Sequence, residues 1–327
     1  ADGVRVGMLL SSPAGNDLLF DESLCEQGRN FANKVWNAFR LVKGWNPESS
    51  LTTAPANLIA VKWFEERFKE QLAIIDDHYS KHRMSDALMS TYKLVWDDFC
   101  SWYLEMVKPP YKESGPSEID VFTYKSTLSF FESLLKVMHP WMPFITEELW
   151  QHLKTRAEGD CIIISEWPVT EVADKSMLAA FGWSAEVITQ VRNLRSSKGI
   201  SPKESLVLQV RARQDSFKIF DAVIIKLANL TSLEEVETKS DGTFSFLAGV
   251  TECYVPLAGR VDVDAERERL NKELEYNQGF LKSVQSKLSN DRFVANAKPE
   301  VVENEKKKMA DALTKIKSIE EQLAGLS

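Results

Sequence analysis

Cysteine and histidine are both scarce in this chain, four of each in 327 residues. Cys25, Cys100, Cys161 and Cys253 stand far apart with no C-x-x-C pair, and the histidines have no ligand spacing, so neither a disulfide framework nor a zinc site is expected. Few scattered cysteines in a long chain favour a reducing compartment, and the expectation is cytoplasmic. Glycine numbers only 14 and forms neither a G-x-G-x-x-G nor a Walker pattern, so no nucleotide cradle is expected. No apolar run reaches transmembrane length and no signal peptide stands at the start. An initiating Met is also missing, and ADGVRVGMLL reads as the inside of a helix, which we expect to be part of something longer. Positive charge is not in surplus. The formal net charge is −8, so any RNA contact has to be local rather than a basic coat. No serine, cysteine, histidine or carboxylate constellation is marked out for catalysis. His139 sits between helices, and His78 and His82 are placed on a polar helix face.

What is abundant is amphipathic helix. The fold class expected is mainly α: an antiparallel helical bundle, then a small α+β module, then an antiparallel coiled-coil hairpin. In the first long helix, capped by Asp21 with Phe20 as staple, Leu24, Phe31, Val35, Ala38 and Val42 form one apolar stripe. Its other side is unusual. Within RNFANKVWNAFR, residues Arg29, Asn30, Asn33, Trp36, Asn37 and Arg40 face away from that stripe. Asparagine is a mediocre helix former, so propensity does not explain the choice. Amides donate and accept, a guanidinium forks onto phosphate, and an indole stacks; together they suit an unpaired nucleotide. On these residues alone, packing against a neighbouring helix accounts for them equally well.

Further helices are expected over roughly 54 to 82, with Leu58, Val61, Phe64 or Glu65, Phe68, Leu72 and Ile75 carrying the stripe, and from Met84 to the break at Pro109 and Pro110. Two more follow, after Pro116 and across ITEELWQHL, with HPWMPFITEELW read as a structural corner whose new helix starts at Thr146, Glu147 or Glu148. CIIISEWP reads as an extended crossing segment. A helix over about 176 to 198 carries a second polar cluster, Arg192, Asn193, Arg195 and Lys198. Beyond Pro202 the period becomes 2: SLVLQVR alternates, SFKIFDAVIIKLAN is helical, and strands are expected around LEEVET, TFSFLAG and ECYVPL.

At the end, Leu270, Leu274, Asn277, Leu281, Val284 and Leu288 make a heptad seam, answered by Val302, Glu305, Met309, Ala312, Ile316, Ile319, Leu323 and Leu326. Turn residues in SNDRFVANAKP separate them, which implies a hairpin about 35 to 40 Å long. Most of its charges are solvated flanks. Lys282, Lys287, Arg292, Lys298, Lys306, Lys307 and Lys308 cluster toward the turn and are the candidates for phosphate contact. Domain boundaries are drawn as 1–168, 169–260 and 261–327.

Several long motifs in order then carry a resemblance. VRVGMLLSSPAGNDLLFDESLCEQGRNFANKVWNAFRLVKGW, WDDFCSWYLEMVKP, HPWMPFITEELW and RNLRSSKGISP resemble the C-terminal part of class I aminoacyl-tRNA synthetases of the valine, isoleucine and leucine group. With KLSNDRFVANAKPEVVENEKKK in the final hairpin, the valyl-tRNA synthetases are the nearest within it. Isoleucyl enzymes commonly end in a cysteine-rich zinc region, and leucyl enzymes do not usually carry this hairpin. The resemblance implies an anticodon-binding domain, a connecting module and a coiled coil that touches the tRNA body. Its partners would be valine tRNA and the N-terminal catalytic part of the same polypeptide, in a monomer with no membrane contact. The HIGH and KMSKS signatures and the editing insertion do not occur here. ATP with magnesium therefore belongs to the parent ligase, no cofactor to this piece, and the piece is expected to be inactive alone. The Arg29 to Arg40 face is then expected to meet the anticodon loop, with the Arg192 to Lys198 cluster bordering the same cleft. The alternatives are a structural or protein-interaction module, or the equivalent region of an isoleucyl- or leucyl-type enzyme.

Overall fold

In the computed structural model, the described residues are 1–11, 21–239, 243–256 and 263–289, with isolated positions between 304 and 323. They are mainly helical, with one two-stranded and one four-stranded sheet. Two compact units emerge: Ala1–Ile188 with Gln214–Ala228, and Thr189–Arg213 with Asn229–Ser327. This division passes within the helix Lys175–Ser197, whereas the sequence boundaries fall at 168 and 260.

In the first unit, α1 (Asp2–Leu10) lies against α2 (Glu22–Lys43). The approach is backbone to backbone, because a Cβ on Gly28 would stand 2.5 Å from the Gly3 carbonyl oxygen. Phe31, Val35, Ala38, Phe39 and Val42 are buried as the helical period requires, while Leu24 is half-buried. β1 (Asn46–Glu48) pairs in parallel with β2 (Glu118–Asp120), so the helix expected after Pro116 starts only at Val121. Asp120 explains the delay. Its carboxylate accepts from the Thr123 N–H at 2.9 Å, the Thr123 hydroxyl at 2.7 Å and the Thr53 hydroxyl at 2.6 Å, which makes it the N-cap of α6 (Val121–Met138).

α3 (Pro55–Ser80) buries Val61, Phe64, Leu72 and Ile75, but Leu58 is exposed because it lies in the first turn, off the packed side. The turn after it holds His82 at φ 59°, so His82 is in a left-handed connection and not on a helix face. α4 (Met84–Lys93) runs into a π-helical stretch, Leu94–Tyr103, and then α5 (Leu104–Val107). There the buried residues come in pairs, Leu94 with Val95, Phe99 with Cys100, Tyr103 with Leu104, at steps of five and then four. Phe64 meets Phe99, Tyr103 and Phe130 at centroid distances of 5.2, 5.0 and 4.9 Å, which forms the aromatic centre of this unit.

The corner begins its helix earlier than expected. α7 runs Pro143–Leu153, and the Asp2 carboxylate accepts from the Phe144 and Ile145 N–H groups at 3.3 and 2.8 Å, capping it from α1. Thr146 is buried instead, donating to the Met142 carbonyl and sharing a 2.7 Å contact with His139 Nδ1, whose pKa burial lowers. Ile162–Ile164 forms one 3-10 turn rather than an extended crossing, with the Ile162 N–H held by Glu147 at 3.0 Å. No described helix is long and apolar enough to cross a membrane.

α8 (Lys175–Ser197) leads toward β3 (Leu206–Val210), whose burial alternates as its sequence does. α9 (Asp221–Ala228) is counted with the first unit, after a 3-10 turn at Asp215–Phe220. In the second unit the strand order is β4-β3-β6-β5, with β4 (Leu230–Glu235) parallel to β3, and β6 (Thr251–Pro256) antiparallel to both β3 and β5 (Thr243–Ala248). α10 (Val263–Leu288) follows. Along it Leu270, Asn277 and Val284 are buried and Leu274, Leu281 and Leu288 half-buried; Glu305, Ala312, Ile316 and Ile319 are buried as well. Phe20, residues 290–303, over most of which the turn was expected, and Leu326 lie outside the described residues.

Candidate nucleic-acid interface

The first candidate surface is built on α2. Its start is fixed by Asp21, whose carboxylate accepts from the Ser23 N–H at 2.9 Å and is held below the usual carboxylate range by its bonds to Ser23. Burial of Phe31, Val35, Ala38 and Val42 then sets the rotation of the helix, and the opposite side follows from geometry. Arg29, Asn30, Asn33, Trp36, Asn37 and Arg40 are all exposed there. Among the described residues, Asn30, Asn33, Asn37 and Arg40 make no side-chain hydrogen bond or ion pair. Arg29 has only a 3.7 Å contact with Glu26, itself two-thirds exposed, an ion pair of little strength in water. Trp36 leans on Phe39 at 6.2 Å between centroids yet keeps 38% of its surface open. The face therefore offers amide donors and acceptors, two guanidinium groups and an indole edge to solvent.

Sequence reasoning missed one border of this face. Tyr92 and Trp96, half-buried, lie nearly parallel with centroids 5.4 Å apart and 10° between planes, and the Lys34 ammonium of α2 stands over Trp96 at 5.2 Å. Phe31 approaches both rings, at 4.7 and 6.5 Å. The signal was present as an aromatic pair at i and i+4 within the helix expected from Met84 onward, but no role was read into it.

The second cluster does not stay together. Arg192 and Asn193 are exposed, and Lys198 is half-buried with its ammonium 5.2 Å from the Phe244 ring. Arg195 is 6% exposed and donates to three carbonyl oxygens, of Ser201 at 3.0 Å, Glu204 at 2.7 Å and Asn229 at 2.9 Å. Asn229 takes the left-handed φ of 51° and donates its own amide to the Pro202 carbonyl at 2.8 Å. The guanidinium thus ties the end of α8 to the strand connections. Its expected place at a cleft border is corrected: the side chain is committed to three backbone carbonyls of its own fold.

On the arm, Lys282, Lys287 and Lys308 are exposed, whereas Arg292, Lys298, Lys306 and Lys307 lie outside the described residues. Lys308 pairs with Glu305 at 2.7 Å and Lys287 reaches the same carboxylate at 3.8 Å. The Lys308 hydrogen bond chiefly holds the Glu305 carboxyl below its ordinary pKa. Tyr276 and Phe280, one turn apart on α10, are exposed aromatics that the sequence reading did not single out. Among the described residues no His, Cys, Asp or Glu group gathers into a metal-holding set.

Comparison with known proteins bears on both surfaces. Residues 61–211 match the family of the anticodon-binding domain of tRNA ligases, and residues 262–327 match the valyl tRNA synthetase tRNA binding arm. The α2 face precedes the first match, the Arg192 to Lys198 cluster falls within it, and the arm lysines fall within the second. A valine–tRNA ligase of Christiangramia forsetii is 50% identical over the whole chain, which corresponds to 37% of that protein. One from Parabacteroides distasonis is likewise 50% identical over 100% of the chain and 37% of its own length. A third, from Phocaeicola vulgatus, is 48% identical over the same shares. The chain spans little more than a third of these relatives.

Proposed function

Because the chain belongs to the valine–tRNA ligase family, covering about 37% of its relatives' length, we propose that it binds valine tRNA and orients it for a ligation performed elsewhere in the polypeptide. The contribution is positional: holding two reactants in register lowers the barrier without any bond being made here. ATP, magnesium and valine belong to the catalytic part, which is the intramolecular partner, and the setting is cytoplasmic and monomeric.

The observation that carries the reading is the α2 face, where three asparagines and Arg40 stand exposed with no protein partner among the described residues. In this assignment Trp36 stacks on an unpaired anticodon-loop base, the Asn30, Asn33 and Asn37 amides pair with base edges, and Arg29 and Arg40 grip phosphates. Arg192 and Asn193 contribute further polar contacts. The first unit is an antiparallel bundle for the anticodon stem-loop, and the last segment is a coiled-coil hairpin for the tRNA body. Support for the hairpin comes from the burial of Leu270, Asn277, Val284, Ala312, Ile316 and Ile319, and from Lys287 and Glu305 meeting across the two segments at 3.8 Å. Lys282, Lys287 and Lys308, with Arg292, Lys298, Lys306 and Lys307, supply its phosphate contacts.

The test is a binding titration of the 327-residue chain with valine tRNA at low and moderate salt, followed by nuclease footprinting. The reading expects affinity to fall steeply with salt and protection at both the anticodon loop and the body. Salt-insensitive association, or no protection at either place, would replace it with a protein-docking module.

A further inference from the structure

Beside the amide row stands a cation held on an aromatic platform, and no role assigned so far uses it. Lys34 lies between Asn30 and Asn37 along α2, rotated toward the π-helical stretch, and its ammonium stands 5.2 Å over the Trp96 indole. Tyr92 supports that indole from the same helix, parallel to it at 5.4 Å. The π winding is what brings Trp96 there. The Ser101 hydroxyl donates to the Trp96 carbonyl at 2.9 Å across five residues, and the Leu104 N–H reaches back five residues to Phe99. With Val95, Phe99 and Cys100 turned into the core, Trp96 is left at the rim, half-buried, next to α2.

We propose that Lys34 and Trp96 form a latch for single-stranded RNA, a deepening that rests on the α2 reading above. Without RNA, the ammonium rests on the indole. When an unpaired base arrives beside Asn30 and Asn33, it takes the indole surface, and Lys34 swings on its flexible stem to the phosphate of the same nucleotide. The exchange is favourable in both halves. A partly exposed cation over a ring is held weakly, whereas base-on-indole stacking is stronger and tolerates any base. The released ammonium gains a charged partner in place of a quadrupole. Trp96 and Trp36 then mark the two edges of the amide row, so the row reads one base while its edges stack the neighbours.

Two signatures separate the latch from a merely structural lysine and tryptophan. Trp96→Leu removes the stacking surface but keeps an apolar side chain against Tyr92; valine tRNA affinity of the full chain is expected to drop about tenfold, with Trp96→Phe restoring most of it. Lys34→Met keeps the apolar stem and removes one phosphate contact, so the slope of log affinity against log salt should become shallower by about 0.7. Each variant is checked for an unchanged thermal transition, and if Trp96→Leu fails to fold, the Lys34→Met slope decides alone. An unchanged slope, or wild-type affinity in a folded Trp96→Leu chain, overturns the latch. If Asn33→Ala and Arg40→Ala weaken binding while Trp96→Leu and Lys34→Met do not, only the latch is lost. Wild-type affinity in all four removes the α2 face, and the latch with it.

Discussion

Residues 29–40 and 192–198 are written in the same vocabulary of arginine and asparagine, yet the fold turns the second stretch's Arg195 inward. On α2 the three asparagines and two arginines are exposed, because an apolar stripe on the other side satisfies the helix without them. Where the chain passes from α8 to β3 and again from α9 to β4, the carbonyl groups of Ser201 and Glu204 in the first connection and Asn229 in the second converge on Arg195. One guanidinium meets all three. A polar residue in sequence is therefore available for a ligand only when the fold has not already committed it to backbone, and that condition is set by chain connections rather than by residue type.

The largest effect should come from the stripe that leaves α2's outer face free. Phe31→Ala is expected to destabilise the first unit by about 3 to 5 kcal/mol through loss of a fully buried ring, read as a lowered thermal midpoint. Arg195→Ala should cost roughly 3 kcal/mol by removing three hydrogen bonds from a charged donor, and Arg195→Lys should not rescue it, since an ammonium cannot reproduce the planar fork. If Arg195→Ala instead folds normally and only weakens tRNA binding, the contrast between the two stretches collapses.

Asp98 sharpens the contrast as a half-buried charge whose needs are poorly met. Burial pushes its carboxyl up to about 6 from 3.8, against the attraction of Arg67 at 3.7 Å. The unfolded chain releases this proton near pH 4 while the folded chain keeps it until about pH 6, so stability falls as pH rises through that window. Asp98→Asn avoids the loss. Its advantage over the wild type should grow from almost nothing at about pH 4 to roughly 2 kcal/mol at about pH 7, as followed by urea unfolding. An advantage that is flat in pH would mean Asp98 is ionised at no cost.

The smallest effects belong to the α2 face itself. Asn33→Ala and Arg40→Ala should leave the thermal midpoint unchanged and lower valine tRNA affinity by roughly fivefold each, about 1 kcal/mol.

The α2 stripe and the β3 alternation were legible because burial there follows one helix or strand period without interruption. Along α10, Leu270, Asn277 and Val284 of the expected seam are buried, while Leu274, Leu281 and Leu288 are half-buried. What escaped was set by partners distant in sequence. Asp2 starts α7 from more than a hundred residues away, and the three-residue pairing of β1 with β2 delays α6 until Asp120 can cap it. The π winding escaped because paired burial at steps of five and four resembles an ordinary amphipathic helix when read with a 3.6 period. Arg195 escaped because no sequence pattern announces which carbonyls two separate connections will aim at one side chain.

The central claim is that an anticodon loop lies on the open side of α2. It is tested most directly by placing a photoreactive side chain at position 33 in the 327-residue chain, irradiating it with valine tRNA, and mapping the crosslinked nucleotide. The account predicts attachment within the anticodon loop, lost on competition with unlabelled valine tRNA. Attachment confined to the tRNA body, or crosslinking equally to unrelated RNA, would contradict it.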